Sequence, residues 1–454
     1  MPVDAPAGAS PRFYIETLGC PKNAVDSHKV AASLRSDGMV PARTAGEADL
    51  VVVNTCAFVE AARQESVETA LMLAGARKPG AKLVLTGCMA ERYGSELAAA
   101  FPEADAVVGF AGEGELAPVV LRGRKPSGVR DLLELPRGAP DAPWAYLKVA
   151  EGCDRACAFC AIPSFRGAQR SREPGAVVGE ARDLVEAGVA ELVLVAQDLA
   201  WYGRDACEPG ALVPLLRQLD ALASRGLRRV RLLYLYPSEV RDPLVAAVHE
   251  LPTVVPYFDL SLQHASARLL RAMKRWGSGE RFLDTIASIR AAEPSAAFRS
   301  SFIVGFPGET EDDHEQLLAF LDRAALDWAG FFAFSPEDGT TAAALDGRVA
   351  PEVVAERLRE CAAVQDPITA AARDALVGTT VEVLVDAVGG DGTLVGRTHR
   401  EAPEIDGVVR VHGAPYARPG AIVAVRVDSA VGPDLEATAR VRGAPVSVRR
   451  EVGR

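Results

Sequence analysis

A chain of 454 residues, 49% hydrophobic and 24% charged, is long enough for about two to four domains and too apolar for wholesale disorder. Its net charge of −11 argues against a large nucleic-acid footprint, which needs clustered Lys and Arg, and fits a basic partner better. The opening MPVDAPAGAS lacks the basic flank and apolar run of a signal peptide, and nothing approaches about 18 uninterrupted apolar residues, so no membrane span and a cytoplasmic location are expected. In that reducing compartment the eight cysteines read as metal ligands or buried thiols, not as disulfides.

The first segment, residues 12–128, alternates short apolar strands with helical stretches. RFYIETLGC, DLVVVNTC and AKLVLTGC are β-rich runs ending in Cys20, Cys56 and Cys88, and ADAVVG offers a fourth strand. AVDSHKVAASLRSDG and VEAARQESVETALMLAGA are helix-like. Such alternation predicts a parallel α/β sheet whose strand C-termini share one edge, where ligands bind. The three cysteines, 36 and 32 residues apart, therefore converge on one rim. One alone would be a buried small hydrophobe. Three at equivalent strand ends, with polar Asn23, Asn54 and Thr55 beside them, suit an open rim and a second metal site.

After a Pro- and Gly-rich joint, residues 139–370 offer six strand candidates: AYLKVAEGC, ELVLVAQD, RVRLLYLYP, YFDLSLQH, FRSSFIVGFPGE and AGFFAFSP. Six βα units imply a partial (β/α)6 barrel, open on one side, with chemistry at the strand C-termini. There lie Gln197-Asp198, Tyr236-Pro237, Gln263-His264 and the GFPGET loop with Gly305, Gly308 and a capping Thr310. Gln263-His264 is either a pocket pair or a satisfied strand end. Residues 371–442 hold five short strand-like runs joined by Gly, Asp and Pro turns, and so predict a small antiparallel β-barrel. The extreme termini are expected to be disordered.

EGCDRACAFC places Cys153, Cys157 and Cys160 on the loop after the first barrel strand. Three thiolates can hold three corners of a four-iron, four-sulfur cluster and leave one iron free for a substrate or cofactor. A zinc site or chance clustering is the plain alternative on spacing alone; placement on the first of six barrel strands weighs against it. Cys207 and Cys361 lack companions and carry no assigned role.

CDRACAFC, with Phe159 before the last cysteine, resembles the Cys-x-x-x-Cys-x-x-Cys motif of radical S-adenosylmethionine enzymes. The order of cysteine domain, radical barrel and small β-barrel resembles the methylthiotransferases over nearly the whole chain, the last domain being TRAM-like. TLGCPKNAVDS and EAPEIDGVV are similar to stretches of the RimO branch, with His28 where an acidic residue is common. The resemblance implies two 4Fe-4S clusters, on Cys153, Cys157 and Cys160 for the radical and on Cys20, Cys56 and Cys88 as auxiliary. It also implies S-adenosyl-L-methionine near Gln197, Gln263, Arg299, Gly305 and Gly308. The substrate would be an aspartate of small-subunit ribosomal protein number twelve, with a reductant protein such as flavodoxin or ferredoxin. A tRNA adenosine methylthiotransferase is the alternative, and a non-catalytic iron–sulfur or zinc scaffold the distant one. Residues 371–440 carry seven Arg against ten Asp and Glu, a net −3 that suits a basic protein better than tRNA.

Overall fold

The computed structural model describes residues 10–123, 130–138, 140–414 and 417–439. The segment bounds expected at 128, 139 and 442, and both extreme termini, lie outside them.

The first sheet is parallel and contains β1 (Arg12–Thr17), β2 (Val40–Pro41), β3 (Leu50–Thr55), β4 (Lys82–Gly87) and β5 (Ala106–Val107), in the order β2-β1-β3-β4-β5. The two-residue edge strand β2 was not legible as a strand. Alternate residues serve opposite cores, as a pleated strand requires. Val51, Val53, Leu83 and Leu85 pack on one face with Leu73 and Met89, whereas Leu50, Val52 and Val84 pack on the other with Val30 and Leu34. Helices therefore cover both sides: α1 (Pro21–Ser36), α2 (Glu60–Ala76) and α3 (Cys88–Ala100). α1 starts earlier than its apolar pattern suggests, because Pro21 supplies a favourable first-turn residue directly after Cys20.

All six expected strands of the second sheet form. β6 (Trp144–Lys148) is followed by a short antiparallel pair, β7 (Ala150–Glu151) and β8 (Arg170–Ser171). Then come β9 (Glu191–Val195), β10 (Arg229–Leu235), β11 (Val254–Gln263), β12 (Ala297–Val304) and β13 (Trp328–Ala333), parallel in the order β6-β9-β10-β11-β12-β13. Leucines and valines of the outer face meet the surrounding helices. The inner face is filled by Tyr146, Val193, Leu233, Tyr257 and Trp328, with Val25 of α1 among them. The cysteine domain thus inserts a helix against β6 and into the concave side of the half-open barrel.

β14 (Thr380–Val388), β15 (Leu394–Arg397), β16 (Val409–His412), β17 (Ile422–Val431) and β18 (Asp434–Ala439) close a barrel in the order β14-β15-β16-β18-β17. Four pairings are antiparallel, but β16 and β18 run parallel. The expected small antiparallel barrel thus forms with one parallel pair, which parity requires: an odd number of strands cannot close with every neighbour reversed.

Between β15 and β16 the chain leaves this barrel and stops the N-terminal end of the radical barrel. Arg229 donates to Arg397 O at 2.7 Å and Thr398 O at 2.9 Å, and Arg231 donates to His399 O at 2.7 Å. Trp328 Nε1 donates to Arg400 O at 2.7 Å, and the Tyr257 hydroxyl to Asp406 at 2.6 Å. Buried Glu191 lies between Arg231 (2.7 Å) and Arg397 (2.9 Å). The EAPEIDG stretch is therefore the floor of the radical barrel.

Candidate active site

β6 delivers the chain to the barrel mouth, and the β7–β8 pair clamps the ends of a loop spanning residues 152–169. Gly152 makes the clamp possible: at φ +78° any Cβ would stand 2.1 Å from Ala168 O. Inside the loop Cys153 N donates to Gly167 O at 3.1 Å and Cys160 N to Cys157 O at 3.2 Å. The loop is pinned from outside as well, through Ala158 N to Met273 O at 2.9 Å and Ala342 N to Ala158 O at 2.8 Å. The three thiols are close enough that Cys160 feels the charge of both others. Burial pushes Cys153 up to about 11 and Cys160 up to about 12. A cluster must displace those protons to bind.

The other three cysteines also converge. Cys20 caps α1, Cys56 follows β3, and Cys88 opens α3 directly after β4. Cys88 feels both Cys20 and Cys56, and burial raises its thiol to about 12. Burial raises Cys56 too. At Cys20 burial also opposes ionisation, but the cations of Lys22 and Arg166 prevail and hold its thiol below the ordinary value. The rim is not open, however. Asn23, Asn54 and Thr55, expected at a solvent edge, are buried, and Asn23 also accepts from Arg166 of the radical domain. They staple strand ends together: Asn23 Nδ2 donates to Thr55 O at 3.1 Å, Asn54 Nδ2 to Asn23 O at 3.0 Å, and Thr55 Oγ1 to Thr86 O at 2.5 Å, while Asn54 Oδ1 is buried without a partner.

One side chain of the 152–169 loop reaches the second set of cysteines. Arg166, six residues after Cys160, donates to Cys88 Sγ at 3.0 Å, Asn23 Oδ1 at 2.7 Å and Glu151 Oε1 at 2.8 Å. Glu151 also accepts from Lys148 Nζ and Gln197 Nε2, both at 2.6 Å, and Lys148 pairs with Asp26 of α1. Two cations and two carboxylates thus balance in a buried network between the cysteine triplets. Lys22 Nζ, beside Cys20, lies 3.6 Å from the centroid of the Tyr234 ring. Reading the sequence missed Lys148 and Arg166. The available signal was a lysine in the middle of an otherwise apolar strand, AYLKVAEG, which cannot be buried without a partner.

Two strained residues mark the barrel mouth. Tyr234 (φ +63°) and Gln263 (φ +74°) occupy the left-handed region at register shifts of β10 and β11. Non-glycine residues held there cost about 1–3 kcal/mol each and cluster at functional sites. Gln197 Oε1, Asp198 Oδ1 and His264 Nε2 are buried there without partners. Polar groups in that state fit a polar ligand such as S-adenosylmethionine. His264 itself is a buried strand-end residue: its Nδ1 accepts from Ser266 N at 3.0 Å, and burial lowers its pKa to about 4.

The remaining expected contacts are scattered. Gly305 adopts φ +81° and abuts Val354 of helix Pro351–Asp374, while Gly308 N donates to Gly347 O at 2.7 Å. The loop between them is tied by Glu309, which accepts from Gly305 N at 2.6 Å and pairs with Arg357 at 3.0 Å. Thr310 forms the expected cap, a capping box with Asp313. Arg299 is near the floor, 3.3 Å from Asp259 and 3.4 Å from Asp406. His28 is on the exposed face of α1 against Arg137 at 3.3 Å, while Cys361 is buried and Cys207 exposed. Among the described residues no three His, Cys, Asp or Glu side chains close on a single metal ion.

Comparison with known proteins places these features together. The family models for uncharacterized protein family UPF0004, the radical SAM superfamily and the TRAM domain match residues 12–109, 147–321 and 377–439. The ribosomal protein uS12 methylthiotransferase RimO of Saccharopolyspora erythraea is 45% identical over 464 aligned positions, covering 94% of this chain and 95% of that protein. The chain belongs to the RimO family. The RimO protein of Moorella thermoacetica is 44% identical over 424 positions, covering 92% and 96%. Among solved structures, the radical S-adenosylmethionine methyltransferase TsrM of Kitasatospora setae aligns with TM-score 0.55 and 15% identity over 74% of this chain and 77% of that one, a likeness of fold. As a RimO-family member the chain is a radical SAM methylthiotransferase with a parallel-sheet N-terminal domain and a TRAM barrel.

Proposed function

We propose that the substrate is ribosomal protein uS12 and that a methylthio group replaces a hydrogen on the β-carbon of one of its aspartates, in the cytoplasm. The observation that carries this reading is Arg166, which reaches from the loop bearing Cys153, Cys157 and Cys160 to Cys88 of the other set. Cys153, Cys157 and Cys160 would hold one 4Fe-4S cluster and Cys20, Cys56 and Cys88 the other, within domains at 12–128, 139–370 and 371–442. When bound, these groups supply a 5′-deoxyadenosyl radical from S-adenosylmethionine and the sulfur that is transferred.

The chain's own residues do the rest. Lys148, Glu151 and Arg166 hold the 152–169 loop against α1, so both triplets keep fixed places across the network. α1 and the 398–406 floor close the barrel from two sides and exclude water from the space that a radical needs dry. Gln197 and Gln263, at the ends of β9 and β11, are the polar groups placed to orient the cofactor, with Gly305, Gly308 and Arg299 further from the mouth.

The TRAM barrel favours a basic protein substrate over tRNA. Among its described exposed residues from 371 onward, Asp374, Glu382, Asp391, Glu404 and Asp428 outnumber Arg418 and Arg426. Phosphate binding needs the opposite balance. The deciding experiment is mass spectrometry of uS12 after anaerobic incubation with iron-loaded enzyme, S-adenosylmethionine, sulfide and a reductant. One methylthio group on an aspartate is the expected result. Unmodified uS12 alongside abundant 5′-deoxyadenosine would move the substrate to tRNA.

A further inference from the structure

Many cations of this chain, buried or exposed, sit against carboxylates or carbonyl oxygens, as Arg231, Arg229 and Arg323 do. The segment after β11 exposes several cations that do not. Helix Ala267–Ala272, the turn behind it and the start of helix Gly279–Ala292 carry Arg268, Arg271, Lys274, Arg275 and Arg281. Arg268 is held by Asp313, and Arg275 turns inward to Ser261 O and to Cys157 Sγ at 3.5 Å. Arg271, Lys274 and Arg281 are exposed, and among the described residues none of them has a carboxylate at salt-bridge distance. Arg281 instead lies 5.7 Å from the centroid of the Trp276 ring, itself 38% exposed. Of the neighbouring acids, Glu280 is engaged by Arg323 at 2.5 Å, and Asp284 stands a turn along the helix.

This patch forms the outer wall of the radical triplet. Met273 O accepts from Ala158 N at 2.9 Å, and Ala158 packs with Leu269 and Met273 in one small core. Arg275, next in sequence to Lys274, itself reaches Cys157 Sγ at 3.5 Å.

We propose that Arg271, Lys274, Trp276 and Arg281 form the docking surface for an acidic one-electron carrier protein of the flavodoxin type. The inference rests on the proposed cluster at Cys153, Cys157 and Cys160. Charge complementarity selects the partner, because unpaired cations around an exposed aromatic on a molecule of net charge −11 attract an acidic protein at this spot and repel it elsewhere. The patch is small, as suits transient electron-transfer encounters, which bury less than about 1,200 Å². On docking, the reduced carrier gives up one electron and is oxidised by one unit, and the cluster is reduced by one unit. No bond or proton moves in that step.

The test uses full-length, iron-loaded enzyme carrying Arg271→Glu, Lys274→Glu and Arg281→Glu together. Affinity for oxidised flavodoxin is measured by titration calorimetry, and 5′-deoxyadenosine formation is followed with reduced flavodoxin and, in parallel, with dithionite. The expected result is a tenfold or greater loss of flavodoxin affinity and of the flavodoxin-driven rate, with the dithionite-driven rate unchanged. Wild-type flavodoxin affinity should also fall with added salt while the variant's does not. Unaltered flavodoxin affinity in the variant overturns the proposal. Should the reversed charges also lower the dithionite rate, the Gln-substituted triple variant decides by the same binding measurement. A wild-type enzyme inert with dithionite would instead overturn the radical-cluster reading, and the calorimetry would still judge the surface.

Discussion

Replacing Arg166 by Met should alter both the stability of the junction and the potential of the cluster proposed at Cys20, Cys56 and Cys88. Arg166 makes three charge-assisted contacts at 2.7–3.0 Å, to Asn23, Glu151 and Cys88. Removing one partner of a buried ion pair costs about 3–5 kcal/mol. Glu151 keeps Lys148 and Gln197, so the lower end of that range is expected. The effect on potential comes from the bond to Cys88. A hydrogen bond to a charged group contributes about 1.5–3 kcal/mol and persists in both oxidation states, so only part of it is differential. Half of it corresponds to about 30–65 mV at about 59 mV per tenfold for one electron. Losing a cation beside the sulfur disfavours the reduced, more negative cluster, so the midpoint should become more negative. An EPR-monitored redox titration, with Cys153, Cys157 and Cys160 replaced by Ala to isolate this cluster, reads the shift. The melting temperature of the metal-free chain reads the stability. Arg166→Lys, which keeps the charge, should recover most of the potential. An unchanged midpoint and an unchanged melting temperature in the Met variant would refute the bridging role.

Three further outcomes follow from the same geometry. Replacing Cys20, Cys56 or Cys88 by Ala should abolish methylthio product while sparing 5′-deoxyadenosine formation, and replacing Cys153, Cys157 or Cys160 should abolish both; loss of cofactor cleavage in the first set would show the division of labour to be wrong. Gly152→Ala forces a methyl to 2.1 Å from Ala168 O at φ +78°, so the 152–169 loop cannot close, and bound iron should drop by about half with the other cluster's spectrum retained. At Glu191 burial opposes ionisation, but Arg397 and Arg231 hold its pKa down to about 2 from an ordinary 4.5. A depressed carboxyl contributes stability that is present above 4.5 and lost as pH falls toward 2. Glu191→Gln should therefore flatten the acid limb of the melting-temperature profile, and parallel wild-type and variant profiles would argue against the pairing.

Much of the architecture is legible in the chain itself, because its signals are local. Val51 to Val53, Leu83 to Leu85 and the six later runs show their strand character in residues that are neighbours in sequence. Cysteines at the ends of equivalent parallel strands must share an edge whatever else the molecule does. Cys153, Cys157 and Cys160 lie within one loop, so their spacing carries its chemical meaning in a few consecutive residues. The capping of the helix after GFPGET by Thr310 is likewise a matter of three residues.

Tertiary structure alone decided what faces what. Asn23, Asn54 and Thr55 look like rim residues in sequence and are buried, in bonds to one another, to neighbouring strand ends and, for Asn23, to Arg166 of the second domain. Arg166 meets Cys88 across 78 positions and Lys148 meets Asp26 across 122; the two cations share Glu151 within their own domain, and the second carboxylate, Asp26, arrives only when the domains dock. EAPEIDG reads as part of the last barrel, yet its neighbours Tyr146, Tyr257 and Arg299 make it the floor of another one. Strand pattern depends on residues a few positions apart and survives in the bare sequence. Burial and charge pairing depend on segments brought together from far along the chain, and exist only once it has folded.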